Sequence, residues 1–131
     1  MTFISEFNAT EEQVDMVSRL FAEVGDTIII DEKLIGGATA LASCGIAFVF
    51  KYIRAASEAG VELGFYPKQA QTIVMQTIKG AVELLKELDI HPEEAIDKVT
   101  TPGGITIKGI NELDHAGFTS AIIRAIKASS I

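Results

Sequence analysis

The spacing of apolar and polar positions predicts a chain that begins β-α-β and then continues as helices. Apolar and polar residues alternate over residues 3–7, as in a short strand, and residues 27–30 form a second β-type run. Between them, Thr10 and Gln13 have the spacing of a capping box, and an apolar face (Val14, Val17, Leu20, Phe21 and Val24) runs to Gly25. Two strands and one helix cannot form an independent sheet domain, so residues 1–30 are expected to be the end of a larger unit.

The remainder of the chain is predicted to be helical. An apolar helical stretch runs from Leu34 to Leu63 with a break near Gly45, and its second half is apolar on nearly every side. A cleanly amphipathic helix follows over residues 67–88, with one stripe made of Ala70, Val74, Ile78, Ala81, Val82, Leu85 and Leu88. A short helix then runs from Pro92 to near Val99, another starts at Pro102, and Gly117 precedes the last one.

Residues 34–50 carry no charge and therefore have to be weighed as a membrane span. The segment is at the short end of the roughly 17–25 residues that a span requires. Glycine, serine, threonine and cysteine also dilute its apolar character. A helix buried in an interface is the better interpretation, and the chain is expected to be soluble without a membrane partner.

Composition indicates a large permanent interface. Hydrophobic residues make up 48% of the 131 residues, and the mean hydropathy is +0.32, which is more apolar material than one small domain can bury. The net charge of −7 and the absence of a Lys or Arg cluster argue against nucleic acid as a partner. The single Cys44 cannot form an internal disulfide, and no basic secretory n-region precedes the first strand, so a cytoplasmic location is expected.

The run from Thr100 to Ile107 has the composition of a small anion-binding loop. It predicts Thr101 as a helix N-cap and Pro102 as the first helical residue. The backbone N–H groups of Gly103 and Gly104 could be approached closely, and a helix N-terminus favours a carboxylate or a phosphate. Thr101 and Thr106 could add hydroxyls. An ordinary capped helix start is the alternative.

Other chemistry has little support in the sequence. His91 and His115 have no partners at metal-ligand spacing, so capping and dipole roles are expected for them, and no metal. No glycine-rich phosphate loop is present, and Ser43-Cys44 has no base nearby in the sequence. Cys44 lies in an apolar run, which favours inert packing. We do not expect an enzyme that works without a further domain.

Four segments, taken in order, carry a resemblance to a known family. The first segment consists of residues 31–34 and 38–41, and the second of Gly45 and residues 47–50. The third consists of residues 59–64, Gln71, 76–77 and 80–81. The fourth consists of residues 99–107, Leu113, 117–118 and Ala125. Over residues 10–128 the chain resembles the C-terminal part of the pyrroline-5-carboxylate reductase family. The last segment is the most specific.

The resemblance implies a mainly α fold. Residues 31–131 would be a helical dimerisation and substrate-binding domain of the 6-phosphogluconate-dehydrogenase-like type, preceded in residues 1–30 by a β-α-β remnant of a Rossmann domain. It also implies a homodimer with interlocked helices, or a higher homo-oligomer. The full-length enzyme would reduce 1-pyrroline-5-carboxylate to L-proline with NADPH or NADH. This chain alone is expected to bind no cofactor and to be inactive.

The resemblance also implies roles for particular residues. Thr101, Gly103, Gly104, Ile105 and Thr106 would bind the substrate, with Thr106 as the catalytic residue nearest the imine nitrogen. Ser43, Cys44 and Gly45 would lie on the cofactor side. The family commonly has Ser-Gly-Ser-Gly-Pro-Ala where this chain has residues 42–47, Ala-Ser-Cys-Gly-Ile-Ala. Ile46 cannot supply the preset φ of proline, and the Cys44 thiol replaces a stronger hydrogen-bonding hydroxyl, which leaves the cofactor-side contacts and the substrate choice open.

Two other interpretations remain open from the sequence. The chain could be a non-catalytic helical module that dimerises and serves in interactions. It could also be the helical domain of a different imine or β-hydroxyacid reductase with the same architecture.

Overall fold

The computed structural model describes residues 1–130, and it confirms the β-α-β start. Strand β1 (Thr2–Ser5) pairs in parallel with β2 (Thr27–Ile30), with Ile4 opposite Ile29. Helix α1 (Glu11–Ala22) lies between them in sequence. The strand ends at Ser5, earlier than predicted, because the Phe7 N–H donates to the Ser5 hydroxyl (3.3 Å) and Asn8 then takes a left-handed conformation.

The predicted capping box of α1 is confirmed. The Gln13 N–H donates to Thr10 Oγ1 at 3.3 Å, and the Thr10 N–H donates to Gln13 Oε1 at 2.9 Å. Val14, on the apolar face of α1, is buried, as is Ile4 of β1. Leu20, further along the same face, is exposed, and so is Val24, which lies just beyond the end of the helix at Ala22. The helix therefore has apolar surface that the described chain does not cover.

The predicted break near Gly45 is wrong, because the helix continues through a wider turn. A 3₁₀ turn (Glu32–Leu34) leads into α2 (Ile35–Thr39), a π-helical turn (Ala40–Cys44) and α3 (Gly45–Glu62). Gly45 has helical φ and ψ of −55° and −35°, so the irregularity is absorbed before it. Asp31 caps the start, and hydrogen bonds from the Lys33 side chain and backbone lower the pKa of its carboxyl.

The later helices lie where the sequence predicts them, with one exception that concerns the start of α6. They are α4 (Pro67–Leu88), α5 (Pro92–Val99), α6 (Ile105–His115) and α7 (Phe118–Ala128). Proline at the first position starts α4 and α5. Asp89 ends α4 in a left-handed conformation, and Gly117 does the same between α6 and α7 with φ +74°.

The chain divides into two compact units. The first is Met1–Ala47 together with the C-terminal segment from Ile123, and the second is Phe48–Ile122. Ile4, Val14 and Ala40 are buried in the first unit, whereas Ala70 is the one buried hydrophobic residue of the second. The division into residues 1–30 and 31–131 stays a prediction.

The second unit is a set of helices whose apolar faces are largely uncovered. Along the predicted stripe of α4, only Ala70 is buried, while Val74, Ile78 and Leu85 are half-buried. On α3, the expected burial on several sides is not found within the described chain, since Val49, Phe50 and Tyr52 are exposed. A unit with so little interior has no hydrophobic core of its own to stabilise it.

One helical run in the described chain is long and apolar enough to cross a membrane by length and composition. It is Glu32–Glu62, and the most apolar window within it has a mean hydropathy of 1.6. An apolar helix packed between protein subunits has the same composition, so this observation alone is weak evidence for a span.

Gly60 lies at the closest approach of α3 and α4. A Cβ at this position would be only 2.8 Å from the Cβ of Ala70. We expect Gly60→Ala to lower the free energy of unfolding by about 1–3 kcal/mol, because backbone would have to move. The control is Gly80→Ala in α4, where a Cβ would meet nothing within 4 Å. It should be neutral or stabilising by up to about 1 kcal/mol. Urea unfolding at one fixed protein concentration measures both, and equal effects would contradict the tight contact.

Candidate substrate-binding loop

The loop between α5 and α6 is built on a β-turn. The Gly104 N–H donates to the Thr101 carbonyl oxygen at 2.9 Å, and Gly103 has φ +73°. Proline in the second position and a positive-φ glycine in the third are typical of a type II turn. The predicted helix start at Pro102 is therefore wrong: α6 begins at Ile105 with Gly104 as its N-cap. The Pro-Gly pair favours the turn over the first helical turn.

This turn changes which N–H groups are available. That of Gly104 is used within the turn, so the expectation that it is free for a carboxylate is wrong. The first N–H groups of α6 belong to Ile105, Thr106 and Ile107. They have no hydrogen-bond partner among the described residues, and Gly104 offers no side chain to cap them. A free N–H group at Ile107 was not predicted. It follows from the place of Ile107 as the third residue of α6, which could be inferred only once the turn was known.

Gly104 is required by the turn itself. A Cβ at this position would lie 2.6 Å from Thr101 Oγ1 and 2.9 Å from the Thr101 carbonyl oxygen. The Thr101 hydroxyl therefore lies close to Gly104, the residue directly before the three N–H groups without a partner. A substitution at Gly104 would distort the turn whether or not a ligand binds there, so it cannot distinguish a binding site from a helix cap.

Thr100 anchors the other end of the loop. Its hydroxyl donates to the carbonyl oxygens of Ile96 (3.0 Å) and Asp97 (3.2 Å), at the C-terminal end of α5. The role of Thr100 was not predicted, although a threonine directly after a short helix is a recognisable signal. Thr106 is exposed in the first turn of α6.

The electrostatics of the loop favour an anion. Three parallel N–H groups and the positive end of the α6 dipole point to the same side. In α5, Lys98 is paired with Glu94 at 2.9 Å, and the backbone N–H groups add positive potential beside the turn. This arrangement can bind and orient a small carboxylate.

The predicted cofactor-side residues lie in the other compact unit. Ser43 and Cys44 are in the π-helical turn, and Gly45 is the first residue of α3. Ser43 is exposed, while Cys44 and Gly45 are half-buried. A Cβ at Gly45 would meet only the Ala40 carbonyl oxygen, at an ordinary 3.8 Å, so the glycine does not form a cradle. The placement of these three residues on the cofactor side stays a prediction.

The two histidines have local structural roles. His91 is the N-cap of α5, and its Nδ1 accepts the Glu93 N–H at 3.2 Å, as predicted. His115 lies in the last turn of α6, 3.8 Å from Glu112 Oε1. Within the described residues, no group of three His, Cys, Asp or Glu side chains could hold a metal ion.

Comparison with known proteins is consistent across sequence and structure. Residues 32–130 match the family model described as pyrroline-5-carboxylate reductase dimerisation. The chain is 48% identical to pyrroline-5-carboxylate reductase 1 of Dictyostelium discoideum over 122 residues, which are 93% of this chain and 22% of that protein. It is 41% identical to pyrroline-5-carboxylate reductase of Aquifex aeolicus over 130 residues, 99% of this chain and 49% of that protein.

The fold agrees with a solved structure of the same family. The crystal structure of Plasmodium falciparum pyrroline carboxylate reductase with NADP bound superposes with a TM-score of 0.86 at 33% identity, covering 93% of this chain and 47% of that one. The chain thus spans between about a fifth and about half of the length of the relatives it matches. It is mainly α-helical, and its match to the dimerisation model over residues 32–130 shows that the chain belongs to the pyrroline-5-carboxylate reductase dimerisation family.

Proposed function

We propose that this chain is the dimerisation and substrate-binding part of a pyrroline-5-carboxylate reductase. The enzyme would reduce 1-pyrroline-5-carboxylate to L-proline with NADPH or NADH. The observation that carries the proposal is the set of three free N–H groups at the start of α6, beside the turn closed by Gly104. The named relatives, whose substrate is a carboxylate, support the same assignment.

The loop would hold the substrate by its carboxylate. The N–H groups of Ile105, Thr106 and Ile107 donate to the carboxylate oxygens, and the Thr101 hydroxyl adds a donor from the turn. Binding at this end fixes the direction of the imine within the site, which lowers the entropic part of the barrier. The Thr106 hydroxyl, one residue into the helix, would hold the proton that the imine nitrogen receives.

The nicotinamide cofactor supplies the hydride in this reaction. The Plasmodium falciparum relative was crystallised with NADP bound, which supports a nicotinamide cofactor for the full-length protein. Within that protein, the loop between α5 and α6 would hold the substrate.

The chain would act as a homodimer whose helices interlock, or as a higher homo-oligomer. The support is the uncovered apolar surface of the Phe48–Ile122 unit, in which Ala70 is the one buried hydrophobic residue. A soluble cytoplasmic location accords with its single, unpaired cysteine.

The gene product that contains residues 1–131 should oxidise NADPH or NADH when 1-pyrroline-5-carboxylate is added. In that protein, Thr106→Val should lower kcat by about five- to a hundredfold with a smaller effect on KM, because one donor is lost while the anion site remains. Thr106→Ser keeps the hydroxyl and should retain most of the turnover. Steady-state kinetics measure all three proteins.

A substrate panel tests the choice of substrate. Equal turnover of the wild-type protein and Thr106→Val would remove Thr106 from the mechanism. Activity on another cyclic imine or a β-hydroxyacid, with none on 1-pyrroline-5-carboxylate, would assign the chain to a different reductase. If no substrate is turned over, the proposed function fails.

A further inference from the structure

Two adjacent threonines at the start of the α5–α6 loop have different surroundings. Thr100 is half-buried, and its hydroxyl is shared between the carbonyl oxygens of Ile96 (3.0 Å) and Asp97 (3.2 Å). Thr101 is exposed, and its Oγ1 lies 2.6 Å from the place that a Cβ on Gly104 would take. The Thr100 hydroxyl is thus used within the fold, whereas the Thr101 hydroxyl lies beside the start of α6.

The backbone explains why the two side chains point in different directions. Thr100 is extended, with φ −109° and ψ 128°, and Pro102 favours an extended conformation at Thr101 as well. Successive side chains of an extended backbone point to opposite sides. Because the Thr100 hydroxyl is held against the end of α5, the Thr101 side chain is turned away from α5 and towards Gly104. The hydrogen bonds of Thr100 therefore set the orientation of Thr101.

The same anchor is connected to the N–H groups at the start of α6. The Thr100 N–H also donates to the Asp97 carbonyl oxygen at 3.3 Å, so backbone and side chain together hold the C-terminal end of α5, whose last carbonyl groups have no helical partner. The next carbonyl oxygen, that of Thr101, accepts the Gly104 N–H at 2.9 Å, and Ile105 follows directly. A rotation at Thr100 would therefore move both the Thr101 hydroxyl and the first N–H groups of α6.

We propose that Thr100 is a positioning residue for the reaction. Its hydroxyl, which is occupied by α5, holds the Thr101 hydroxyl and the three free N–H groups of α6 in the arrangement that receives the substrate carboxylate. The inference rests on the proposed function and adds a residue to it that acts through the loop. Without the Thr100 hydroxyl the donors would have to be ordered when the substrate binds, so the cost appears in substrate affinity. A helix cap without this role would affect folding alone.

Steady-state kinetics of the gene product that contains residues 1–131 test this role. Thr100→Val keeps the shape of the side chain without its hydroxyl, and it should raise the KM for 1-pyrroline-5-carboxylate by about five- to tenfold while kcat stays within about threefold. The inhibition constant of the product L-proline, which carries the same carboxylate, should rise by a similar factor. Thr100→Ser restores the hydroxyl, and its KM should be within about twofold of the wild-type value.

Thr72→Val is the matched control, because the exposed Thr72 hydroxyl of α4 donates to the Lys68 carbonyl oxygen at 2.8 Å in the same way. Its KM should stay within about twofold of the wild-type value. The role of Thr100 is wrong if Thr100→Val has the wild-type KM, or if Thr100→Ser is impaired as strongly as Thr100→Val.

A second variant and the wild-type protein separate the remaining outcomes. Thr100→Ala also lacks the hydroxyl and should show the same rise in KM. A wild-type KM in Thr100→Ala would overturn the inference even if Thr100→Val fails to fold. A wild-type protein that does not turn over 1-pyrroline-5-carboxylate would overturn the proposed function and this inference with it, whereas an active wild-type protein with unaffected Thr100 variants would overturn the inference alone.

Discussion

Replacing Ile105 with proline is expected to raise the KM for 1-pyrroline-5-carboxylate by about ten- to a hundredfold while α6 stays folded. Proline removes the first of the three free N–H groups, and a hydrogen bond to a charged group is worth about 1.5–3 kcal/mol. The helix tolerates the change because proline suits the first helical position. Gly104, with ψ 168°, already has the extended conformation that the residue before a proline needs.

Ile105→Ala is the matched control for this variant. It keeps the N–H and removes only a side chain that is 86% exposed. Its KM should stay within about twofold of the wild-type value, as for other surface substitutions. Circular dichroism of both variants checks that the helices are retained. If the proline and alanine variants have the same KM, the start of α6 is a helix terminus without a role in binding the carboxylate.

The elements of the fold were largely predictable because they depend on local signals. The Thr10–Gln13 capping box and the prolines at positions 67 and 92 identify helix starts that the structure confirms. The run of β-branched residues 27–30 likewise forms β2. Each of these signals acts within a few residues, so distant contacts do not override it.

The loop between α5 and α6 and the helical run through Gly45 were less predictable, because the same local residues are compatible with two backbone conformations. Thr101-Pro102 can cap a helix or open a turn, and the following pair of glycines allows the positive φ that favours the turn at Gly103. Gly45 can end a helix or continue it, and the π-helical turn before it absorbs the change in geometry. The loop was predicted from its composition and the roles of its residues from the resemblance, whereas the N–H groups that are free could be identified only from the structure.

The extent of burial shows what an apolar pattern alone cannot predict. The stripe on α4 indicates a buried face, and yet Val82 and Leu88 are exposed in the single chain. Periodicity shows that a face must be covered without showing which molecule covers it. Under the proposed homodimer, a second copy would cover the face that the first leaves open.

The folding of this chain should therefore depend on its concentration. We expect a hundredfold dilution, from about 100 to about 1 μM, to lower the apparent free energy of unfolding by about 2.7 kcal/mol. The physical reason is that the Phe48–Ile122 unit, with Ala70 as its one buried hydrophobic residue, would gain its core in the proposed dimer. The urea midpoint should fall by about 1 M over this range, as measured by far-ultraviolet circular dichroism.

Two copies joined by a flexible linker provide the control, because association within one molecule does not depend on concentration. The linked chain should keep the same urea midpoint at both concentrations, while sedimentation of the unlinked chain should show a dimer that dissociates as its helices unfold. A folded monomer at micromolar concentration, with a midpoint that does not move on dilution, would contradict the expectation. In that case the exposed faces of α3 and α4 would be stable in water without a second copy to cover them.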